Sequence, residues 1–545
     1  MRRPKMGSMS AADPAHARDA TPPSPAGGGA GSRPRPLGWL AALLLLLVGS
    51  ALRLNDLGSL SVNGDEIYTI WETRSARTAA AEVDLATAWR QRLALITQND
   101  PAPPPGLPRE ELWRLRWGYR TNPLHLLLNE ASFALCGDTP LAARLSSLCF
   151  GLLSLLVLPL LARGPFGDRF ALLLLAALAL APNAIEHARF ARYYSAAFFF
   201  GALAALAAAR FTLHRRRRDE WLFVGAAAAL VLVHATGILI ALLLLLWLAF
   251  FARSGLSQLA LAGGLLLVAA AWWFGPLPKI VDTIGDGIRP TSVYRSWRMA
   301  AGLFYNVGPG LVALGAVALA WWPPRGRRMP LVPVAGTVLV SCWTLFSLNY
   351  RHDIGPRYFA AIEGVGMLIA AAGLERLWVA STRTALARTV AVAALLAQGP
   401  LLASNGIDGQ RFPIAAATRT LAPLVRPGDR VLANWAGIYE YYLDRDDSPW
   451  RDVIELPNSM PALDSHLTED DRARAWLVLE RQRGRLSWSG PTQRLEEWLV
   501  RHARPVATLG ESRLDSALER FGAGYRYELD IYAVDLAALR ATRDQ

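Results

Sequence analysis

The run Ser61 to Arg74 (SVNGDEIYTIWETR) places two adjacent carboxylates, Asp65 and Glu66, just beyond the first long apolar stretch, with Tyr68 two residues further on. A carboxylate held near an acceptor hydroxyl or amine can take its proton in a transfer reaction once its surroundings tune it. The same residues have a purely local reading, because Asn63 followed three residues later by Glu66 is the spacing of a capping box that starts a helix. A second group lies in EHARFARYYSAAFFF, Glu186 to Phe200. On a helix Glu186, Arg189 and Tyr193 share one face, with Arg192 beside them. Paired guanidiniums match the oxygens of a phosphate, while tyrosine and snorkelling arginine are equally the makings of an interfacial belt. His234 stands between two apolar stretches, where an ionisable group is a functional candidate. The fourth group, RHDIGPRYFAA, gathers Arg351, His352, Arg357 and Tyr358 at the mouth of another apolar run, and Lys279 joins Arg289, Arg295 and Arg298 in a further polar segment. These cations suit either a phosphate ligand or anionic lipid headgroups.

The elements that must position these groups are apolar. Of 545 residues 53% are hydrophobic and 19% charged, and the apolar ones come in long blocks rather than at amphipathic spacing. This excludes a disordered chain and argues against a water-soluble enzyme. Leu37 to Leu54 reads as a retained signal anchor, although Val48, Gly49 and Ser50 also supply the small residues of a cleavage site. Further candidate spans fall near 139–161, 170–185, 194–210, 220–234, 235–251, 257–275, 299–321, 331–348, 358–378 and 389–404, about eleven in all. The run 220–251 would be about 48 Å long as one straight helix, so two shorter helices breaking near His234 are expected. The fold class that follows is a polytopic α-helical membrane protein. Its parts are a disordered tail at 1–36, a transmembrane domain at 37–404 with an outer loop at 56–120, and a C-terminal domain at 405–545. In that last part Arg430 to Ala433, Ile438 to Leu443, Ala475 to Leu479, Val506 to Leu509 and Tyr527 to Val534 are short β-like runs among charged stretches, which suggests a small extracytoplasmic α/β domain.

Placing the tail in the cytoplasm and alternating brings Arg163 to Arg169, Arg210 to Glu220, Arg253, Arg325 to Arg328 and Glu375 to Arg388 inside, and every one of these loops is basic. The net charge of +13 is therefore an orientation signal and gives no support to nucleic-acid binding. All four chemical groups then reach the outer side of the bilayer. A carboxylate base together with cations for a phosphate leaving group forms a site for group transfer from a lipid phosphate. A secondary transporter or lipid flippase of the inner membrane is the alternative. Such proteins often carry internal repeats with polar residues at the bilayer midplane, whereas this chain shows no repeat and gathers its polar groups at one surface. The cysteines Cys136, Cys149 and Cys342 have no metal-site spacing, and no glycine fingerprint for a nucleotide cofactor is present.

The order of these pieces resembles the GT-C superfamily of membrane glycosyltransferases, specifically the protein O-mannosyltransferase and aminoarabinose transferase group, over roughly residues 38–405. The matching features are Asp65 and Glu66 in the first outer loop, Asn122, Pro123 and Leu124 leading through an apolar segment to Cys136 and Gly137, Arg144 opening the next span, Arg189, Arg192 and Tyr193, and Pro356, Arg357 and Tyr358. The group often has two prolines where this chain has Asn122 and Pro123, and loop 56–120 is enlarged by Pro101 to Pro108. The resemblance implies a GT-C fold in the bacterial inner membrane and inverting transfer of a sugar from a polyprenyl-phosphate donor to a glycolipid, glycan or protein acceptor at the periplasmic face. Under it Asp65 is the acceptor-activating base, Glu66 positions the acceptor, and Arg189, Arg192 and Arg357 face the lipid phosphate. Residues 121–137 are an interfacial helix, and a divalent metal ion is left open.

Overall fold

The computed structural model describes residues 36–55, 64–80, 122–234, 236–252, 330–348, 359–381, 413–434, 436–445, 453–457, 459–468, 474–482, 492–510 and 527–543, with isolated positions between them. The helical part begins with α1 (Pro36–Leu54), α2 (Gly64–Ala80), α3 (Pro123–Cys136), α4 (Pro140–Phe166), α5 (Asp168–Leu180) and α6 (Pro182–Ala188). It continues with α7 (Tyr194–His214), α8 (Arg217–Val233), α9 (Thr236–Trp247), which runs into a π turn at Leu248–Ala252, α10 (Leu331–Leu348) and α11 (Ala360–Ser381). Among the described residues α4 and α7 are long and apolar enough to cross a membrane, and α5 with α6 makes a third span if that bent pair is counted as one. Apart from Gly263, Gly264 and Thr389, the spans expected at 257–275, 299–321 and 389–404 lie outside the described residues, as does the tail expected at 1–36 except for Pro36, which opens α1.

Local sequence explains where these helices start and stop. Thr139 caps α4 by accepting the Ala142 N–H at 3.1 Å, and Pro140 occupies the first turn, where a missing N–H costs nothing. The expected break near His234 falls between α8 and α9, and Gly237 is needed there because a Cβ would lie 2.6 Å from the Leu230 carbonyl oxygen. The bend between α5 and α6 is 64°. Pro182 has no N–H to offer the Leu178 carbonyl one turn earlier, and the fully buried Arg53 of α1 donates to that oxygen instead at 2.8 Å while also binding the Gly49 carbonyl at 2.8 Å. On the other side of α6, Gly151 of α4 leaves no room for a side chain, since a Cβ would meet that of Ala188 at 2.4 Å. The short helix α6 is thereby seated between α1 and α4.

The bundle core is built from closely approaching helices. At the α7–α11 crossing a Cβ on Gly201 would sit 2.5 Å from the Ala361 carbonyl oxygen, and one on Gly364 would sit 2.0 Å from that of Phe198. Small residues that let backbones approach are how helices gain packing where no hydrophobic force separates lipid from leucine. At the opposite end of α7, Arg210 pairs with Asp219 of α8 at 2.8 Å and donates to the Leu161 carbonyl at 2.6 Å, closing the hairpin.

The C-terminal part contains α12 (Ile414–Leu421), β1 (Arg430–Ala433), α13 (Ala436–Arg445), β2 (Val453–Glu455), α14 (Met460–Thr468), β3 (Arg474–Gln482), β4 (Arg485–Leu486), α15 (Thr492–His502), β5 (Ala503–Leu509), β6 (Tyr527–Asp535) and α16 (Leu536–Arg543). The strands form one sheet in the order β2-β1-β3-β6-β5, parallel from β2 to β3 and antiparallel beyond, with β4 paired to β3. Alternate residues face opposite layers. Leu432, Leu477 and Val534 pack with Leu463, Leu495 and Leu539 of α14 to α16. Val431, Trp476, Val478 and Ile531 belong to a second layer that includes α12 and α13 and extends to Val62, Ile67 and Ile70 at α2 and to Phe133, Ala142 and Ala191 of the bundle. One β-like run is corrected here, because Ile438 to Leu443 lies within α13. Its buried Ile438, Tyr439 and Tyr441 face the second layer from a helix rather than from a strand.

Candidate functional site

The site grows from Glu66 in the first turn of α2. Both its oxygens are engaged by the Arg144 guanidinium, with Nε donating to Oε1 and Nη2 to Oε2, each at 2.8 Å. The Ala191 N–H also donates to Oε1 at 2.7 Å, and Arg144 Nη1 donates to the Leu57 carbonyl at 2.8 Å. Each of the two side chains is only 2% exposed. A bidentate, charge-assisted pair with its remaining capacity filled is the arrangement in which a buried ion pair offsets its desolvation. Three pieces of chain are joined by it: the entry to α2, the N-terminal end of α4, and the turn before α7. The capping role of Asn63 lies outside the described residues, and Glu66 is committed to Arg144 and Ala191.

Asp65 is half-buried at the same N-terminus, where the α2 dipole favours a negative charge. Being one residue from Glu66, it projects about 100° around the helix from the locked pair. Tyr68 is 37% exposed and meets Trp71 edge-on at 5.9 Å between ring centroids.

The turn before α7 supplies the second half. Glu186, Arg189 and Tyr193 were expected on one helical face, but α6 ends at Ala188, Arg189 caps it, and helix resumes only at Tyr194. The turn points Arg192 toward α2, where Nη1 donates to Thr69 Oγ1 at 3.2 Å, and its carbonyl accepts from Ser147 Oγ at 2.7 Å. The Arg192 guanidinium lies 5.0 Å from the Tyr193 ring centroid. Tyr193 is in turn stacked on His234 at 4.5 Å and 23°, edge-on to Tyr194 at 4.6 Å and to His125 at 6.1 Å. His234 is buried and shares a hydrogen bond of 2.7 Å with Thr236. Arg189 is buried at the end of α6 and Glu186 is half-buried on it. Lys279, His352, Arg357 and Tyr358 lie outside the described residues.

The structure thus brings Glu66, Arg192, Tyr193 and His234 around one junction and adds residues that the motifs did not single out. Glu72 is buried one turn beyond Thr69, and burial pushes its carboxyl up from 4.5 to about 7 against the pull of Arg192. Burial, and then the Arg192 charge, hold His125 down at about 3, so its imidazole is neutral and pairs with Asn129 at 3.0 Å. Burial opposes the charge of Arg192, yet Tyr193, Tyr194 and Glu72 hold its pKa above the ordinary arginine value. A second buried cluster joins α6 to α11, where Glu363 accepts from Asn183 at 3.3 Å and pairs with His187 at 3.1 Å. An ionisable residue inside an apolar run was the available signal for Glu363. Glu72 had none, because a carboxylate in an amphipathic helix looks solvated until its neighbours are known. Among the described residues no three His, Cys, Asp or Glu side chains are grouped to hold a metal ion.

No protein-family model and no curated protein sequence matches the chain. Solved structures do resemble it. ArnT from Cupriavidus metallidurans in the apo state is 15% identical, with a TM-score of 0.47, over 91% of this chain and 98% of that one. The same protein bound to undecaprenyl phosphate is 16% identical, with a TM-score of 0.46, over 91% and 97%. The Archaeoglobus fulgidus oligosaccharyltransferase in complex with Zn and sulfate is 16% identical, with a TM-score of 0.44, over 80% of this chain and 67% of that one. The likeness to these structures extends over 80% or more of this chain.

Proposed function

We propose that the chain is a membrane glycosyltransferase that moves a sugar from a polyprenyl-phosphate donor to a glycolipid, glycan or protein acceptor at the periplasmic face, with inversion at the sugar carbon. The observation that carries this reading is the junction itself: Glu66 ties the carboxylate-bearing entry of α2 to the turn that bears Arg192. A base and a phosphate-facing cation are then held on two sides of one rigid connection, which single-step displacement requires.

In this scheme Asp65 accepts the proton of the acceptor hydroxyl or amine as its oxygen or nitrogen bonds to the anomeric carbon. The bond from that carbon to the phosphate oxygen breaks, and the polyprenyl phosphate leaves with the electron pair. Arg192 meets the charge that develops on the leaving group, and Arg189 and Arg357 serve the same side. Tyr193 and His234 form an aromatic wall beneath Arg192 that keeps the guanidinium in place. Glu66 contributes through the frame, since its oxygens are held by Arg144 and Ala191. The apolar helices, the basic inner loops and the group of polar residues at one surface support an inner-membrane protein with a cytoplasmic tail and an outer C-terminal domain. Mass spectrometry of envelope lipids and glycans from cells with and without the gene tests the reading. A hexose, pentose or aminosugar missing from one acceptor is expected, and identical profiles under conditions where the chain is expressed contradict it.

A further inference from the structure

The C-terminal part touches the carboxylate helix through one face of α13. Tyr442 accepts the Val62 N–H at 2.6 Å, three residues before Asp65, and Val62 is 1% exposed. Gly437, five residues earlier on α13, leaves a space occupied by Trp71 of α2, because a Cβ there would fall 2.4 Å from Trp71 Cη2. Tyr441 lies under the Arg74 guanidinium at 5.0 Å from its ring centroid, and the same Arg74 donates to Asp138 at 2.5 Å in the turn between α3 and α4. The two tyrosines meet edge-on at 5.3 Å. Buried apolar residues of the two parts form one continuous core around these contacts.

We propose that α13 is a latch for the active-site helix, with Tyr442 a positioning residue that fixes the backbone leading into Asp65 and Gly437 the slot that sets the rotation of α2 through Trp71. The outer domain is then a working part of the catalytic frame rather than a separate cover. The geometry is specific in its details. A backbone N–H in a buried approach needs an acceptor, and Tyr442 is placed to supply it from a different region of the chain. Burial pushes the Tyr442 phenol up to about 12, so it stays a neutral hydroxyl across the working range. The Glu66–Arg144 pair fixes α2 from the membrane side, and α13 fixes it from the outside.

This inference rests on the proposed transfer reaction for its kinetic consequence, and hydrogen–deuterium exchange separates the two. Tyr442→Phe removes one oxygen and keeps the ring. In that variant exchange at Val62 and through the first turn of α2 is expected to rise while α4 and α7 stay protected. The turnover number in membranes is expected to fall about tenfold, the kinetic equivalent of one lost hydrogen bond to a buried group, with KM for the lipid donor little changed. A second pair provides rescue: Gly437→Ala lowers turnover, and adding Trp71→Phe, which opens space for the new methyl, restores part of it. Unchanged exchange in the Tyr442 variant overturns the latch. Raised exchange with unchanged turnover, in a wild-type protein that does transfer sugar, overturns the positioning role. A wild-type protein that exchanges as described but transfers no sugar removes the reaction and leaves the latch standing.

Discussion

Arg144 spends three donors on two buried partners, Glu66 and the Leu57 carbonyl, so removing either charge strands the other. Glu66→Gln or Arg144→Met alone is expected to cost about 3–5 kcal/mol of stability, and the paired replacement by apolar residues less than the sum, measured by thermal unfolding in detergent. Neutral single substitutions would show that the pair does not hold α2. Glu72 makes a prediction with a sign. Its folded pKa of about 7 is raised from 4.5, so the folded protein binds the extra proton more tightly than the unfolded chain. The stabilising contribution is complete below about 4.5 and is lost as pH rises toward 7. Glu72→Gln should therefore flatten the dependence of Tm on pH across this interval and be relatively more stable above it; parallel profiles for the two proteins would contradict a titrating Glu72. The sequence allowed Asp65, Glu66, Arg192, Tyr193 and His234 to be picked out, because charged and aromatic groups stand out beside apolar runs. Glu72 and His125 could not be recognised this way, since their character comes from burial against segments distant in the chain.

At the scale of elements, the bend between α5 and α6 depends on a residue from α1. Arg53→Met is expected to leave the Leu178 carbonyl without its donor and cost about 1–3 kcal/mol, with Arg53→Lys recovering only part because an ammonium cannot span two carbonyls as a guanidinium does. Thermal unfolding of the three proteins checks this, and equal midpoints would sink it. The break at His234 was legible from helix length alone. The break between the runs ending near 185 and starting near 194 was legible too, but the path of the turn from Arg189 to Tyr193 was not, because it follows tertiary bonds: Ala191 to Glu66, Arg192 to Thr69 and Ser147 to the Arg192 carbonyl. The helix α13 was hidden for a related reason. Its Ile438, Tyr439, Tyr441 and Tyr442 have strand-like composition, and their fit against α2 and the sheet overrides that preference.

At the scale of the whole molecule, the basic loops are the basis of the proposed orientation, with the tail inside and the C-terminal part outside. Val500 on α15 is 86% exposed. In intact spheroplasts Val500→Cys is expected to add labelling by a membrane-impermeant thiol reagent beyond that of the native cysteines, and labelling that appears only after lysis would reverse the orientation. The sheet strands at 430–433, 475–479, 506–509 and 527–534 were readable from short β-like runs between charged stretches. Their docking onto α2 was not, because it depends on which residues meet in space: Val62, Ile67 and Ile70 join the sheet's second layer, Tyr442 accepts from Val62, and Gly437 makes room for Trp71. The proposed role of Asp65, activating the acceptor for transfer from a lipid phosphate, is tested most directly by sugar transfer from a polyprenyl-phosphate donor in membranes carrying Asp65→Asn, with expression and folding matched to wild type. Loss of about a hundredfold or more in turnover at similar donor KM is predicted, and undiminished transfer would contradict the assignment.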